Sequence, residues 1–154
     1  MLISRTHLTA LALEARQAPR RRKNRNLHSS DAARAHRLLN AMEPDSYVRP
    51  HRHLDAEKSE TIIALAGRFG LVVFDAGGAV VSCDVIACDG PALGVDIPHG
   101  TFHSVVALLS GSVFFEAKAG PYVPLSEAEL AAWAPAEGTP AAQAYLQKMH
   151  ALFA

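Results

Sequence analysis

Between Tyr47 and Lys118 the chain is divided into short segments rich in β-branched and aromatic residues, each bounded by turn-forming residues. The segments are Tyr47 to His53, Glu60 to Ala66, Phe69 to Asp75, Val80 to Ile86, Leu93 to Ile97, Phe102 to Leu109 and Ser112 to Lys118. Turn chemistry is clearest at Asp75-Ala76-Gly77-Gly78 and Leu109-Ser110-Gly111. Closely spaced strands of this kind predict a mainly β protein, a jelly-roll sandwich or barrel whose facing side chains enclose a cavity.

Helical signals lie on either side. Ser4 is a candidate N-cap for a helix carrying Leu8, Leu11, Ala12 and Ala15, stopped by Pro19. Asp31 to Met42 is read as a second short helix with Leu38 and Leu39 facing inward, and Arg20 to His28 as extended chain. In the tail, Ser126-x-x-Glu129 has capping-box spacing before Leu130 and Trp133, and Thr139-Pro140 supplies a cap and first-turn proline ahead of Tyr145, Leu146, Met149 and Leu152. The expected layout is one structural domain: an N-terminal helical and extended segment over 1–45, the barrel over 46–120 and a C-terminal helical extension over 121–154.

Within the strand region, His51 and His53 stand two residues apart, with Glu60 on the next segment and His103 on a later one. Side chains two apart on a strand share a face. Three imidazoles and a carboxylate form a set suited to one divalent transition metal (Zn, Fe, Ni, Mn or Co) and leave coordination positions open for water or a ligand. Glu57 lies nearby but in the polar turn Asp55-Ala56-Glu57-Lys58, whereas Glu60 opens the apolar strand Thr61-Ile62-Ile63.

These residues carry a resemblance. His51-x-His53, Glu60 and Gly67 resemble the first cupin motif, with a longer interval between His53 and Glu60 than the motif usually has. Pro98-x-Gly100-x-x-His103 resembles the second, with Ala107 in the place of its closing Asn and no Gly before Pro98. More narrowly, the chain resembles the WbuC-type cupin-fold metalloproteins, small bacterial proteins associated with polysaccharide biosynthesis. The strings that carry this are Arg22 to His28, Leu38 to Ala41, Tyr47 to His53, Glu116 to Tyr122 and Trp133 to Gly138. The resemblance implies a cupin-type jelly-roll barrel with short terminal helices and a bound metal; it implies no settled reaction.

Strand parity extends the candidate site. If Tyr47 and Arg49 share the face of His51 and His53, both enter the cavity, Tyr47 as a proton-moving group and Arg49 as the partner of Glu116 or of a substrate anion. Glu116 and Lys118 also share a face, Glu116 as acid or base and Lys118 as a substrate contact. In the extended basic segment, Arg22, Asn24, Asn26 and His28 line one side and suit a phosphate or carboxylate with neighbouring hydroxyls.

Composition narrows the functional classes. The formal net charge is zero and the basic run from Arg16 to Arg25 has no stacking aromatics, so a nucleic-acid partner is not expected. Cys83 and Cys88 form no C-x-x-C pair and are read as reduced thiols of a cytoplasmic protein; no segment has the length or apolarity to span a membrane. There is no G-x-S-x-G elbow and no Gly-rich phosphate loop. The remaining expectations are a metal-dependent isomerase, epimerase or lyase acting on a small sugar or sugar phosphate, an Fe(II)-dependent oxygenase, or a non-catalytic saccharide or small-anion binding module. A homodimer is expected, because jelly-roll edges and apolar tail helices both favour pairing.

Overall fold

In the computed structural model, which describes residues 2–154, eight strands form two antiparallel sheets. The strands are β1 (Arg22–Asn26), β2 (Ala35–Met42), β3 (Glu60–Ala66), β4 (Arg68–Phe74), β5 (Val80–Ala87), β6 (Gly94–Ile97), β7 (Phe102–Ala107) and β8 (Ser112–Ala119). One sheet runs in the order β1-β2-β8-β3-β6 and the other β5-β4-β7. The inner faces meet over Met42, Ile62, Phe69, Leu71, Ile86, Val105 and Phe114, the arrangement of a cupin-type jelly roll.

The outer faces are covered by the terminal helices. Helix α1 (Arg5–Gln17) begins at Ser4, whose hydroxyl accepts from the His7 amide, and buries Leu8, Leu11, Ala12 and Ala15. That stripe packs on Leu39, Ala41 and Val113, the outward-facing positions of β2 and β8. Helix α2 (Pro140–His150) is capped by Thr139 and buries Ala142, Leu146 and Met149 over Val72, Phe74 and Val106 of the smaller sheet. No helix among the described residues is long and apolar enough to cross a membrane.

Three local expectations are corrected. Residues 35–42 are strand β2, not a helix: Leu39 and Ala41 face α1 while Met42 reaches the barrel interior, the two-sided burial of a sheet. Antiparallel pairing of β2 with both β1 and β8 therefore carries part of the 1–45 segment into the larger sheet. After Ser126 the capping bonds form, with the Ser126 amide and hydroxyl donating to Glu129, but only a turn follows. There the chain turns to strand-like pairing, and Leu130 bridges His51.

The third correction concerns Tyr47 to His53, which is extended chain with only one residue in ladder pairing. His51 exchanges both backbone hydrogen bonds with His103, at 3.0 and 2.9 Å. Val48 packs on the barrel core and Tyr47 on the outer cluster, yet His51 faces inward, so alternation slips by one residue across Pro50. Proline has no amide to donate to a ladder, and Pro50 sits where the slip occurs.

Gly67 makes the tight connection from β3 to β4 at φ 71°, where an added Cβ would stand 2.2 Å from Ser112 Oγ. Ser112 Oγ accepts from the Arg68 amide at 3.1 Å, so the turn is closed by β8, the neighbour of β3 in the larger sheet.

Candidate metal centre

Two backbone devices bring the histidines and Glu60 together. The His51–His103 pairing places the two imidazoles opposite each other, with ring centroids 4.7 Å apart. Register in the larger sheet sets Glu60 of β3 opposite Lys118 of β8, and Ile62 opposite Glu116, so the three polar groups enter the cavity in adjacent rows. The ligand atoms of His51, His53 and Glu60 lie within 4.8 Å of one another, near the separation of donors about 2.0–2.2 Å from a shared ion. His103 lies outside this group of three, with its Nε2 2.6 Å from Glu60 Oε1.

Tautomers are fixed by the chain itself. Nδ1–H of His51 donates to the Arg49 carbonyl at 3.0 Å, and Nδ1–H of His103 donates to the Thr101 carbonyl at 2.9 Å. Each bond leaves Nε2 directed at the cluster, the arrangement in which outer hydrogen bonds orient metal-binding imidazoles. His53 Nε2 is buried without a hydrogen-bond partner, standing 3.4 Å from Glu60 Oε2. A buried nitrogen left unpaired is costly unless something else occupies its lone pair. On that observation the donor set fits a divalent transition metal.

Electrostatics favour deprotonated His51 and Glu60, whereas the Glu60 carboxylate raises His103 against the effect of burial. Burial, with the neighbouring His103, pushes His51 down to about 3, so its lone pair is free across the ordinary pH range. Burial alone would raise the Glu60 carboxyl, but the close His103 imidazole, with His53 and the Lys118 charge nearby, outweighs it and holds Glu60 well below its usual value. Burial pushes Glu116 up, reinforced by the charge on Glu60 and opposed by Lys118. The Lys118 ammonium stands 2.5 Å from Glu116 Oε1 and 3.4 Å from Glu60 Oε2.

The cavity beside this cluster has a volume of about 210 Å³ and is reached by Glu116, Lys118, Arg22 and Asn24 among the anticipated residues. Asn40, missed because β2 was read as helix, donates to Glu116 Oε2 at 2.8 Å. Its place in register between Asn24 and Phe114 becomes apparent only once the strand pairing is known.

Other anticipated residues lie elsewhere. The Tyr47 hydroxyl donates to the Pro135 carbonyl at 3.0 Å within the outer core, where burial raises its phenol above the usual range. The Arg49 guanidinium donates to the Ala131 carbonyl at 2.7 and 3.2 Å, so its partner here is backbone and not Glu116. Asn26 accepts from Asn24 at the surface. His28 is buried in a stack on His36, ring centroids 3.9 Å apart, with Nδ1 at the Arg37 backbone. The slip at Pro50 removes Tyr47 and Arg49 from the cavity face, and the same residue count leaves His51 on it.

Solved structures share this fold. KdgF from Halomonas sp. superposes with a TM-score of 0.53 at 15% identity, over 69% of this chain and 84% of that one. The conserved protein of unknown function SPY1581 from Streptococcus pyogenes gives a TM-score of 0.51 at 11% identity, over 71% and 86%. At these identities the likeness concerns the fold alone. No curated protein matches the chain. With residues 3–86 matched by its model, more than half of the length, the chain belongs to the family described as "Domain of unknown function (DUF6016)".

Proposed function

We propose that the protein is a mononuclear metal-binding cupin that acts on a small sugar or sugar phosphate as an isomerase, epimerase or lyase. The observation that carries this reading is the convergence of the His51, His53 and Glu60 donor atoms within 4.8 Å beside a cavity that also holds Glu116. His51, His53, Glu60 and His103 would hold the ion, which when bound supplies a Lewis acid to polarise a carbonyl or grip two vicinal oxygens. Glu116 is positioned by Asn40 and Lys118 to take or return a proton at its carboxylate. A cavity of about 210 Å³ is below the roughly 300–1,000 Å³ common for drug-sized ligands, which favours a single small metabolite.

The polysaccharide setting rests on the resemblance to WbuC-type proteins. Glu116 within the cavity favours catalysis over capture alone, since a binding module has no use for a buried proton carrier. Oxygenase chemistry is separated by the metal: iron in protein purified without added metals favours it, and zinc disfavours it. The test is elemental analysis of such protein, followed by product analysis across a panel of sugars and sugar phosphates. One ion per chain and conversion of a panel member are expected; sugars recovered unchanged throughout would leave only binding.

A further inference from the structure

The cations of the cavity wall differ in their partners. Lys118 is matched by Glu60 and Glu116. Arg20 and Arg22 line the same cavity, and no carboxylate of the cavity wall is paired with either. Their partner comes from the connection leading to α2: Glu137 accepts from Arg20 Nε at 2.8 Å and Nη2 at 3.1 Å, and from Arg22 Nη2 at 2.8 Å. One carboxylate, on a residue that does not itself line the cavity, thus collects three charge-assisted hydrogen bonds from two that do.

The two arginines are held differently. Arg22 is fixed, its side chain only 17% exposed and its Nη1 donating to the Tyr47 carbonyl at 2.9 Å. Arg20 is 64% exposed, and its guanidinium touches Glu137 alone. Glu137 is itself partly exposed and precedes Gly138, which has φ 81°. The anchor is therefore built into the wall, while its occupant is a partly exposed side chain.

We propose that the ligand of this cavity carries an anionic group, a carboxylate or a phosphate, that replaces Glu137 on Arg22 and Arg20, making Glu137 a built-in competitor and Arg22 a specificity-determining residue. The inference rests on the reading of the cavity as a ligand site, and it does not require the metal. A fork of guanidinium donors already satisfied by a carboxylate matches carboxylate or phosphate oxygens and has nothing to offer a neutral hydroxyl of equal value.

The test is calorimetric binding to the zinc-treated full-length chain, with D-glucuronate, D-glucose 6-phosphate and D-glucose as probes. E137Q is expected to bind at least one anionic probe about two- to fivefold more tightly, the scale of losing an exposed ion pair, with glucose unchanged. R22M is expected to lose about tenfold or more for that same probe. Which anionic probe responds separates carboxylate from phosphate. Unchanged or weaker anion binding by folded E137Q, or no binding of either anion to wild type and E137Q, overturns the proposal. Should E137Q fail to fold, R20M decides: a two- to fivefold loss for the anion supports the proposal and no change refutes it. Zinc content of the same samples separates the two readings, because an E137Q effect without bound zinc refutes the metal and keeps the anion, and the reverse result does the opposite.

Discussion

Glu60 Oε1 lies 2.6 Å from His103 Nε2, with both side chains no more than 5% exposed, although 43 residues of chain separate them. The contact joins the two sheets at the cavity: β3 contributes the carboxylate and β7 the imidazole. The carboxylate accepts a hydrogen bond from His103 Nε2–H, and that proton must leave for Nε2 to bind a metal.

Substituting His103 by Ala should therefore weaken zinc binding by at least about 100-fold, the upper end of what outer-shell partners cost. Competition titration with a zinc chelator measures this. A loss below about tenfold would remove His103 from the ligand set.

Lys118 should have the opposite effect. Its ammonium stands 3.4 Å from Glu60 Oε2 and repels any cation placed there. K118M is expected to bind zinc more tightly, by about 1 kcal/mol or more even with strong screening. The same chelator competition reads the sign, and weaker binding would mean that Lys118 supports the site by ordering Glu60.

Tyr47 provides a control. Y47F removes the hydroxyl that donates to Pro135 at 3.0 Å and should cost about 1 kcal/mol in denaturant unfolding. Zinc affinity should stay within about twofold, because the ring belongs to the outer core. A large loss of zinc affinity would return Tyr47 to the cavity.

The acid limb of stability should report Glu43, which is 3% exposed. Burial raises this carboxyl, but donors at Ser110 Oγ (2.5 Å), Gly111 N (2.9 Å) and Arg16 Nε (3.1 Å) outweigh it and hold it below the ordinary 4.5. A lowered carboxylate contributes stability that is complete above its unfolded value and disappears as pH falls through the folded one. E43Q should therefore cost about 1–3 kcal/mol near neutral pH, with the gap to wild type closing below about pH 4. Urea unfolding across pH tests this, and a gap that widens in acid would contradict it.

Gly67 gives a backbone test. With φ 71° and Ser112 Oγ 2.2 Å from any added Cβ, G67A should destabilise the fold by about 2 kcal/mol or more. An unaltered midpoint would mean that the turn relaxes freely.

Much of this is legible in the sequence. Strand periodicity and turn residues placed β3 to β8 within one or two residues of their observed ends, and the Ser4 and Thr139-Pro140 caps marked both helices. The histidines and Glu60 were legible because motif spacing is set by the same strands that carry them. What failed was non-local. β2 was hidden because Leu38 and Leu39, read as a helical stripe, face opposite sides of a sheet whose neighbours lie far away in sequence. Strict alternation through Tyr47 to His53 missed the slip at Pro50, and Glu137 joins Arg22 only through the tertiary path of the tail.

The most direct test is a titration of chelator-treated protein with Co(II), followed by visible absorption. One ion per chain is expected, with a spectrum that vanishes in H51A and E60Q. An ion count of zero, or a spectrum identical in wild type, H51A and E60Q, would show that these side chains do not hold a metal.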